Sequence, residues 1–164
     1  MKTFIPLVPL TKSAFSPFGE VVSWEGAAPF DINQGFARRC NGLAEIDVMT
    51  GGGLTNISLF VANPRPNPFR VEVMERHPDG SQLFFPLQER PWLVLVCADP
   101  RDPGSYRAFC ASGREGVNYA RNTWHHPLLV LDPESRFFVV DRGGPGANLN
   151  EHWLPAEADL HLQF

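Results

Sequence analysis

"FRVEVMERHPDGSQLFFPL", residues 69–87, decides how this chain folds. Two short runs rich in Val and Phe flank a Pro-Asp-Gly turn, which is the composition of strands joined tightly rather than of a helix. Successive side chains of a strand point to opposite faces. Val71, Val73, Glu75 and His77 therefore share one face, and Glu72, Met74 and Arg76 share the other. The first face begins apolar and the second is mostly charged, so the Val face is expected to point inward and to carry Glu75 and His77 with it. Past the turn, Gln82 is the first long polar side chain of the next strand, on the face of Phe84 and Pro86. Burying a carboxylate beside an imidazole costs several kcal/mol unless each finds a partner, a metal or a substrate. Glu75-x-His77 with Gln82 five residues on is thus a candidate centre of three convergent donor atoms. The plain alternative is an ordinary hairpin in which His77 sits beside Pro78 at the strand end, Glu75 pairs with an Arg and Gln82 is solvated.

The same grammar runs through the chain. "LTNISLFVA", "SQLFFPL", "WLVLVCA", "YRAFCA", "HPLLVL" and "RFFVVDR" are short and rich in β-branched or aromatic residues. The 14 Gly and 16 Pro fall between such runs as punctuation. Seven or more strands follow one another too closely for crossover helices, which predicts an all-β protein with short helices, a mainly antiparallel sandwich or small barrel. One short helix is expected around Thr11 to Ser16, capped by Thr11 and stopped by Pro17 and Gly19, and a second near Pro155 to Ala158. With 164 residues, no repeat and no low-complexity linker, the expectation is one domain over 1–164.

A net charge of −4 with no basic run excludes the broad positive field that nucleic-acid or membrane-surface binding requires. Cys40, Cys97 and Cys110 are odd in number and widely spaced, which suits a reducing cytoplasm better than a disulfide framework. No stretch approaches the roughly 20 apolar residues of a membrane span, and the N-terminus lacks a signal peptide's apolar run and cleavage site. A soluble cytoplasmic protein is expected.

A second constellation is "GVNYARNTWHHPLLVL", residues 116–131. Alternation sets Val117, Tyr119, Arg121, Thr123 and His125 against Asn118, Ala120, Asn122, Trp124 and His126, and both sides are mixed. Neighbouring strand residues cannot both enter one cavity without a bulge, so one His is a ligand or catalyst and the other packs; periodicity alone does not choose. Arg121 has the planar fork that clamps a carboxylate, or is a surface residue. A third stretch, "VVDRGGPGANLNEHW", lacks the Lys-Ser/Thr of a phosphate cradle and reads as a tight turn. There Asp141 shares the face of Phe137 and Val139, at the mouth of the expected cavity, with an Asp–Arg ion pair as the alternative.

"ERHPDGSQLFFPL" and "GVNYARNTWHHPLLVL", followed by "DRGG" at 141–144, resemble the ureidoglycolate lyase family of allantoin degradation, also named ureidoglycolate hydrolase. "AFSPFGEVV", "NQG" at 33–35 and "ASGREGVNY" extend the resemblance over nearly the whole chain. It implies a cupin-like double-stranded β-helix barrel, a homodimer, and cleavage of ureidoglycolate to glyoxylate and urea. It also implies that Glu75, His77 and Gln82 stand where cupins often carry His-x-His and Glu, and that His125, not His126, faces the barrel. The chain departs from the family pattern at "ARRCNGLAEI", where Arg39 matches but Cys40 and Asn41 do not, and the tail past Gly144 matches poorly.

Ureidoglycolate carries a hydroxyl, a carboxylate and a urea nitrogen on one carbon. Splitting it needs a base for the hydroxyl proton and an acid for the leaving nitrogen. The residues expected to act are Arg121 or Arg39 on the carboxylate, His77 or His125 as base, Tyr119 or the other cavity His as acid, and Gln82 and Asn118 on the ureido group, with Asp141 also lining the cavity. A divalent metal would take Glu75, His77, Gln82 and His125; the resemblance suggests nickel, and metal-free catalysis by the same side chains is the alternative. Competing functions are a non-catalytic module binding a small anion, an amidohydrolase releasing ammonia, or a metal-dependent enzyme for another small hydroxy acid.

Overall fold

The runs of β-branched and aromatic residues become strands, and the Gly and Pro clusters become the corners between them. In the computed structural model, which describes residues 2–164, two sheets face each other and a third covers the back of one of them. The first sheet is antiparallel, ordered Gly19–Ser23, Glu115–Tyr119, Gln82–Pro86, Ser135–Gly143 and Leu54–Ala62. The second is ordered Asn150–Trp153, Val73–Arg76, Trp124–His125, Trp92–Cys97, Tyr106–Ala111 and Leu7–Pro9, with Leu129–Val130 also beside Trp92–Cys97. Thr3–Ile5, Leu160–Leu162 and Phe69–Arg70 form the third. This all-β, two-sheeted barrel is the small, mainly antiparallel barrel or sandwich expected from the strand spacing. Two edge pairings are parallel, Thr3–Ile5 with Leu160–Leu162 and Tyr106–Ala111 with Leu7–Pro9.

The short helix is Lys12–Phe15, with the Thr11 hydroxyl accepting from the Ala14 amide at 3.2 Å as a helix cap should. Near the C-terminus only a 3₁₀ turn forms, Ala156–Ala158.

Trp92–Cys97 shows why there are two cores. Trp92, Val94 and Val96 pack with Phe15, Phe84, Phe109, Val117, Tyr119, Phe137 and Val139 between the facing sheets. Leu93, Leu95 and Cys97 pack with Ile5, Phe69, Val71, Met74, Leu160 and Leu162 beneath the third sheet. A strand buried on both faces has no polar side to read.

That geometry corrects the expectation for Met74. It is fully buried in the second core, not on an outer charged face. The chain crosses from the third sheet to the second at Val71 and Glu72, where the Val71 amide bonds Leu160 and the Glu72 carbonyl receives Leu154. Alternation therefore restarts at Val73, and Val71 lies in the same core as Met74. "HPDGS" likewise turns a corner between sheets rather than closing a hairpin, since Val73–Arg76 and Gln82–Pro86 belong to different sheets. Gly80 is required at this corner: a Cβ there would meet Arg142 Cβ at 2.9 Å and the Asp47 carbonyl at 3.2 Å.

Candidate active site

Two rows of side chains meet between the facing sheets. In the second sheet, Glu75 is paired in register with His125, and His125 with Val96, so the three stand abreast on one face. Val96 belongs to the core between the sheets, which aims Glu75 and His125 inward. In the first sheet, Tyr119 is in register with Gln82 and Gly19, and Asp141 with Asn56. Asp141 follows the Val140–Leu83 pair and so falls opposite Gln82. Tyr119 and Gln82 are buried on the inner face. His77 closes the arrangement from the corner.

The contacts are close. His125 Nδ1 lies 2.9 Å from the Thr123 carbonyl and His77 Nδ1 lies 2.7 Å from the Asn148 carbonyl. A carbonyl only accepts, so both Nδ1 atoms carry their hydrogen and each neutral ring turns a bare Nε2 inward. Both Nε2 atoms lie 3.2 Å from Gln82 Oε1, and His125 Nε2 lies 3.4 Å from Glu75 Oε1. Burial pushes the Glu75 carboxyl up, but the imidazoles beside it, His125 foremost, outweigh this and hold it below the ordinary carboxylate range. Two imidazole lone pairs, an amide oxygen and a carboxylate thus converge with no hydrogen among them when the rings are neutral. Such a set repels itself unless a cation or proton sits at its centre.

Among the described residues, Glu75, His77 and His125 are the one group of His, Cys, Asp and Glu whose ligand atoms cluster, all within 4.8 Å of one another. One divalent ion with bonds of about 2.0–2.2 Å spans this after small side-chain movements. Imidazoles that donate Nδ1–H to a carbonyl and present Nε2 are oriented as metal-binding histidines usually are. The residues present therefore fit a divalent metal.

Tyr119 stacks on His125, centroids 4.2 Å apart and planes at 11°. Burial, with the charge of Glu75, raises the phenol above its ordinary range, so it remains a proton donor. His126 is equally buried but faces the second core: its Nδ1 donates to the Pro127 carbonyl at 2.7 Å and its ring meets the edge of Phe69 at 5.4 Å. Burial pushes its pKa down to about 4, against weaker opposing effects, so it packs as a neutral ring.

Three other expected residues are not brought to this centre. Arg121 forks onto Asp47, Nε to Oδ2 at 3.0 Å and Nη2 to Oδ1 at 2.7 Å, and reaches the Thr50 hydroxyl at 2.5 Å. Asn118 lies on the opposite face from Tyr119, its NH₂ donating to Glu20 at 2.9 Å and to the Glu45 carbonyl at 2.8 Å. Arg39 is exposed on a two-stranded ribbon with Phe30–Ile32. The segment 43–50, which reads as a loop, covers the outside of the first sheet and engages two of them. Asp141 does reach the centre, accepting from Gln82 Nε2 at 3.3 Å and from Asn56 at 2.9 Å. Arg142, its expected ion-pair partner, instead bonds the carbonyls of Thr50, Gly51 and Pro145. Sequence reasoning missed Asn148 and Asn56: the first acts on His77 through a backbone carbonyl, and the second is an ordinary polar residue of an edge strand.

A family model described as ureidoglycolate lyase matches residues 2–161. The chain belongs to the ureidoglycolate lyase family. It is 51% identical to a ureidoglycolate lyase of Burkholderia mallei over 94% of this chain and 91% of that one. It is 49% identical to ureidoglycolate lyase 1 of Rhizobium meliloti, over 92% and 89%, and 44% identical to a ureidoglycolate lyase of Azotobacter vinelandii, over 96% of each. Among solved structures it is similar to an oxalate decarboxylase mutant from Bacillus subtilis, with a TM-score of 0.41 and 14% identity over 66% of this chain and 27% of that one. In this member of the lyase family no thiolate reaches the centre: all three cysteines are free, and burial pushes the Cys97 thiol up to about 12.

Proposed function

We propose that the protein cleaves ureidoglycolate to glyoxylate and urea at the centre formed by Glu75, His77, Gln82 and His125. The convergence of these four acceptors, in a chain the lyase family model matches over 2–161, is the observation that carries the reading. The reaction is an elimination. The hydroxyl proton passes to a base, the C–O bond becomes C=O, the C–N bond breaks with its electron pair going to urea nitrogen, and that nitrogen is protonated; water is not consumed. With no ion bound, His77, half-buried at the corner and the more open of the two imidazoles, is the base through Nε2; a divalent ion would occupy that lone pair, and the hydroxyl proton, made more acidic by the ion, would then pass to solvent. Tyr119, kept protonated by burial, supplies the proton. His125 is held rigid between Tyr119 and the Thr123 carbonyl, and Gln82 offers its carbonyl oxygen.

Glu75, His77, His125 and Gln82 would hold a divalent metal, nickel by resemblance to the family. When bound there, the ion polarises the substrate's hydroxyl and carboxylate oxygens. Arg121, whose Nε and Nη2 are engaged by Asp47 and Thr50, secures the segment 47–50 rather than clamping substrate.

The protein is further proposed to be one cytoplasmic domain over 1–164 and a homodimer. No helix of the described residues is long and apolar enough to cross a membrane. Ile57, Leu59 and Val61 alternate on the outer face of Leu54–Ala62 and are 62–70% exposed, a patch suited to a second copy.

Purified protein incubated with racemic ureidoglycolate, with and without chelator, tests the activity. Glyoxylate and urea in equal amounts are expected, with the rate falling when metal is removed. Ammonia in place of urea would mean an amidohydrolase, and no turnover with any divalent metal would leave only a binding module.

A further inference from the structure

Asn56, Asp141, Gln82 and Tyr119 stand abreast on four adjacent strands, and polar contacts link the first three into a chain that ends on both imidazoles. An amide is nearly symmetric in shape: turned by 180°, Gln82 would exchange its oxygen for an NH₂ with almost no change in packing. The two orientations differ in chemistry. With Oε1 toward the histidines, four acceptors converge and the site calls for a cation. With Nε2 toward them, its two hydrogens would satisfy the two bare imidazole nitrogens, one oxygen would leave the donor set, and the site would need no metal.

We propose that Asp141, steadied by Asn56, is a positioning residue that fixes the Gln82 amide with its oxygen facing His77 and His125. The proposal rests on reading this centre as a metal site. A carboxylate has no hydrogen to give, so the atom of Gln82 lying 3.3 Å from Asp141 Oδ2 is the NH₂, and the oxygen is left to face the histidines. The other oxygen of Asp141 accepts from Asn56 Nδ2 at 2.9 Å, and that NH₂ also reaches the Ser58 hydroxyl at 3.1 Å. These contacts hold the carboxylate in place. Asp141 touches neither imidazole and acts through Gln82.

Calorimetric titration of Mn²⁺ and Ni²⁺ into the intact protein tests this in four versions: wild type, Asp141→Asn, Gln82→Glu, and the double variant, each checked for folding by thermal unfolding. In Asp141→Asn the side chain at 141 can donate as well as accept, the amide is no longer fixed, and affinity falls roughly tenfold to a hundredfold, the usual effect of losing a group that orients a ligand. In the Gln82→Glu background both atoms at the end of residue 82 are oxygens, so there is no orientation to lose. Asp141→Asn then removes a like-charge contact and supplies a donor, and affinity stays the same or rises. Weakening in both backgrounds would make Asp141 only a negative charge near the cation, and no weakening in the Gln82 background would give it no part; either result overturns the proposal. Absence of binding by wild type as well would overturn the metal reading and this proposal with it.

Discussion

At the scale of single residues, the centre is defined by which hydrogens are spent elsewhere. His77 and His125 commit Nδ1 to backbone carbonyls, and Glu75 and Gln82 bring only acceptors to the middle. Glu75→Gln keeps the shape and removes the charge; divalent metal retained after dialysis, read by elemental analysis, is expected to fall at least about tenfold. Tyr119→Phe keeps the stack on His125 and removes the proton. Its kcat should fall by roughly a hundredfold with KM little changed, since a positioned acid is worth about 10²–10⁴-fold; an unchanged kcat would place the proton donor elsewhere. Glu75, Gln82 and His77 were legible because two-residue alternation followed an apolar face into polar residues. The choice of His125 over His126 was not, because both faces of that strand are buried and hydropathy cannot separate two interiors. Asn118 and Arg121 were misplaced for a related reason: their partners Glu20, Glu45 and Asp47 are 73 to 98 residues distant in sequence, two of them on the covering segment 43–50.

Elements set the distances between these residues, and where chain and sheet part company the sequence pattern is silent. The cap of Lys12–Phe15 was visible in Thr11 and Pro17, both local signals. The switch between sheets at Val71 and Glu72 was not, since nothing in "RVEV" marks it, and Met74 followed it into the second core. Gly19 holds the end of the Tyr119–Gln82 row: its φ is +148°, and a Cβ there would lie 2.0 Å from the Asn118 carbonyl. Gly19→Val should therefore lower stability by more than about 2 kcal/mol in chemical denaturation and weaken metal binding with it. Leu54–Ala62 makes a different prediction. Wild type is expected to sediment as a dimer and Ile57→Lys with Leu59→Lys, which places charge on the exposed aliphatic patch, as a monomer; a dimer in both would put the contact on another surface.

Across the whole molecule, the second sheet divides two kinds of interior. One face closes the barrel and carries Glu75 and His125 beside Val96; the other lies under the third sheet and takes Met74 and His126 into an apolar core. The all-β barrel was legible in strand spacing, while the third sheet was not, because Thr3–Ile5, Phe69–Arg70 and Leu160–Leu162 are two or three residues each and meet only through long-range pairing. The claim that chemistry belongs to one face and packing to the other is tested most directly by glyoxylate release from ureidoglycolate in His125→Ala and His126→Ala, compared at temperatures where thermal unfolding shows both folded. His125→Ala is expected to lose roughly a hundredfold or more, and His126→Ala to keep near wild-type turnover with stability lowered by roughly 1–3 kcal/mol. Equal activity in the two variants, or the loss in His126→Ala alone, would contradict that claim.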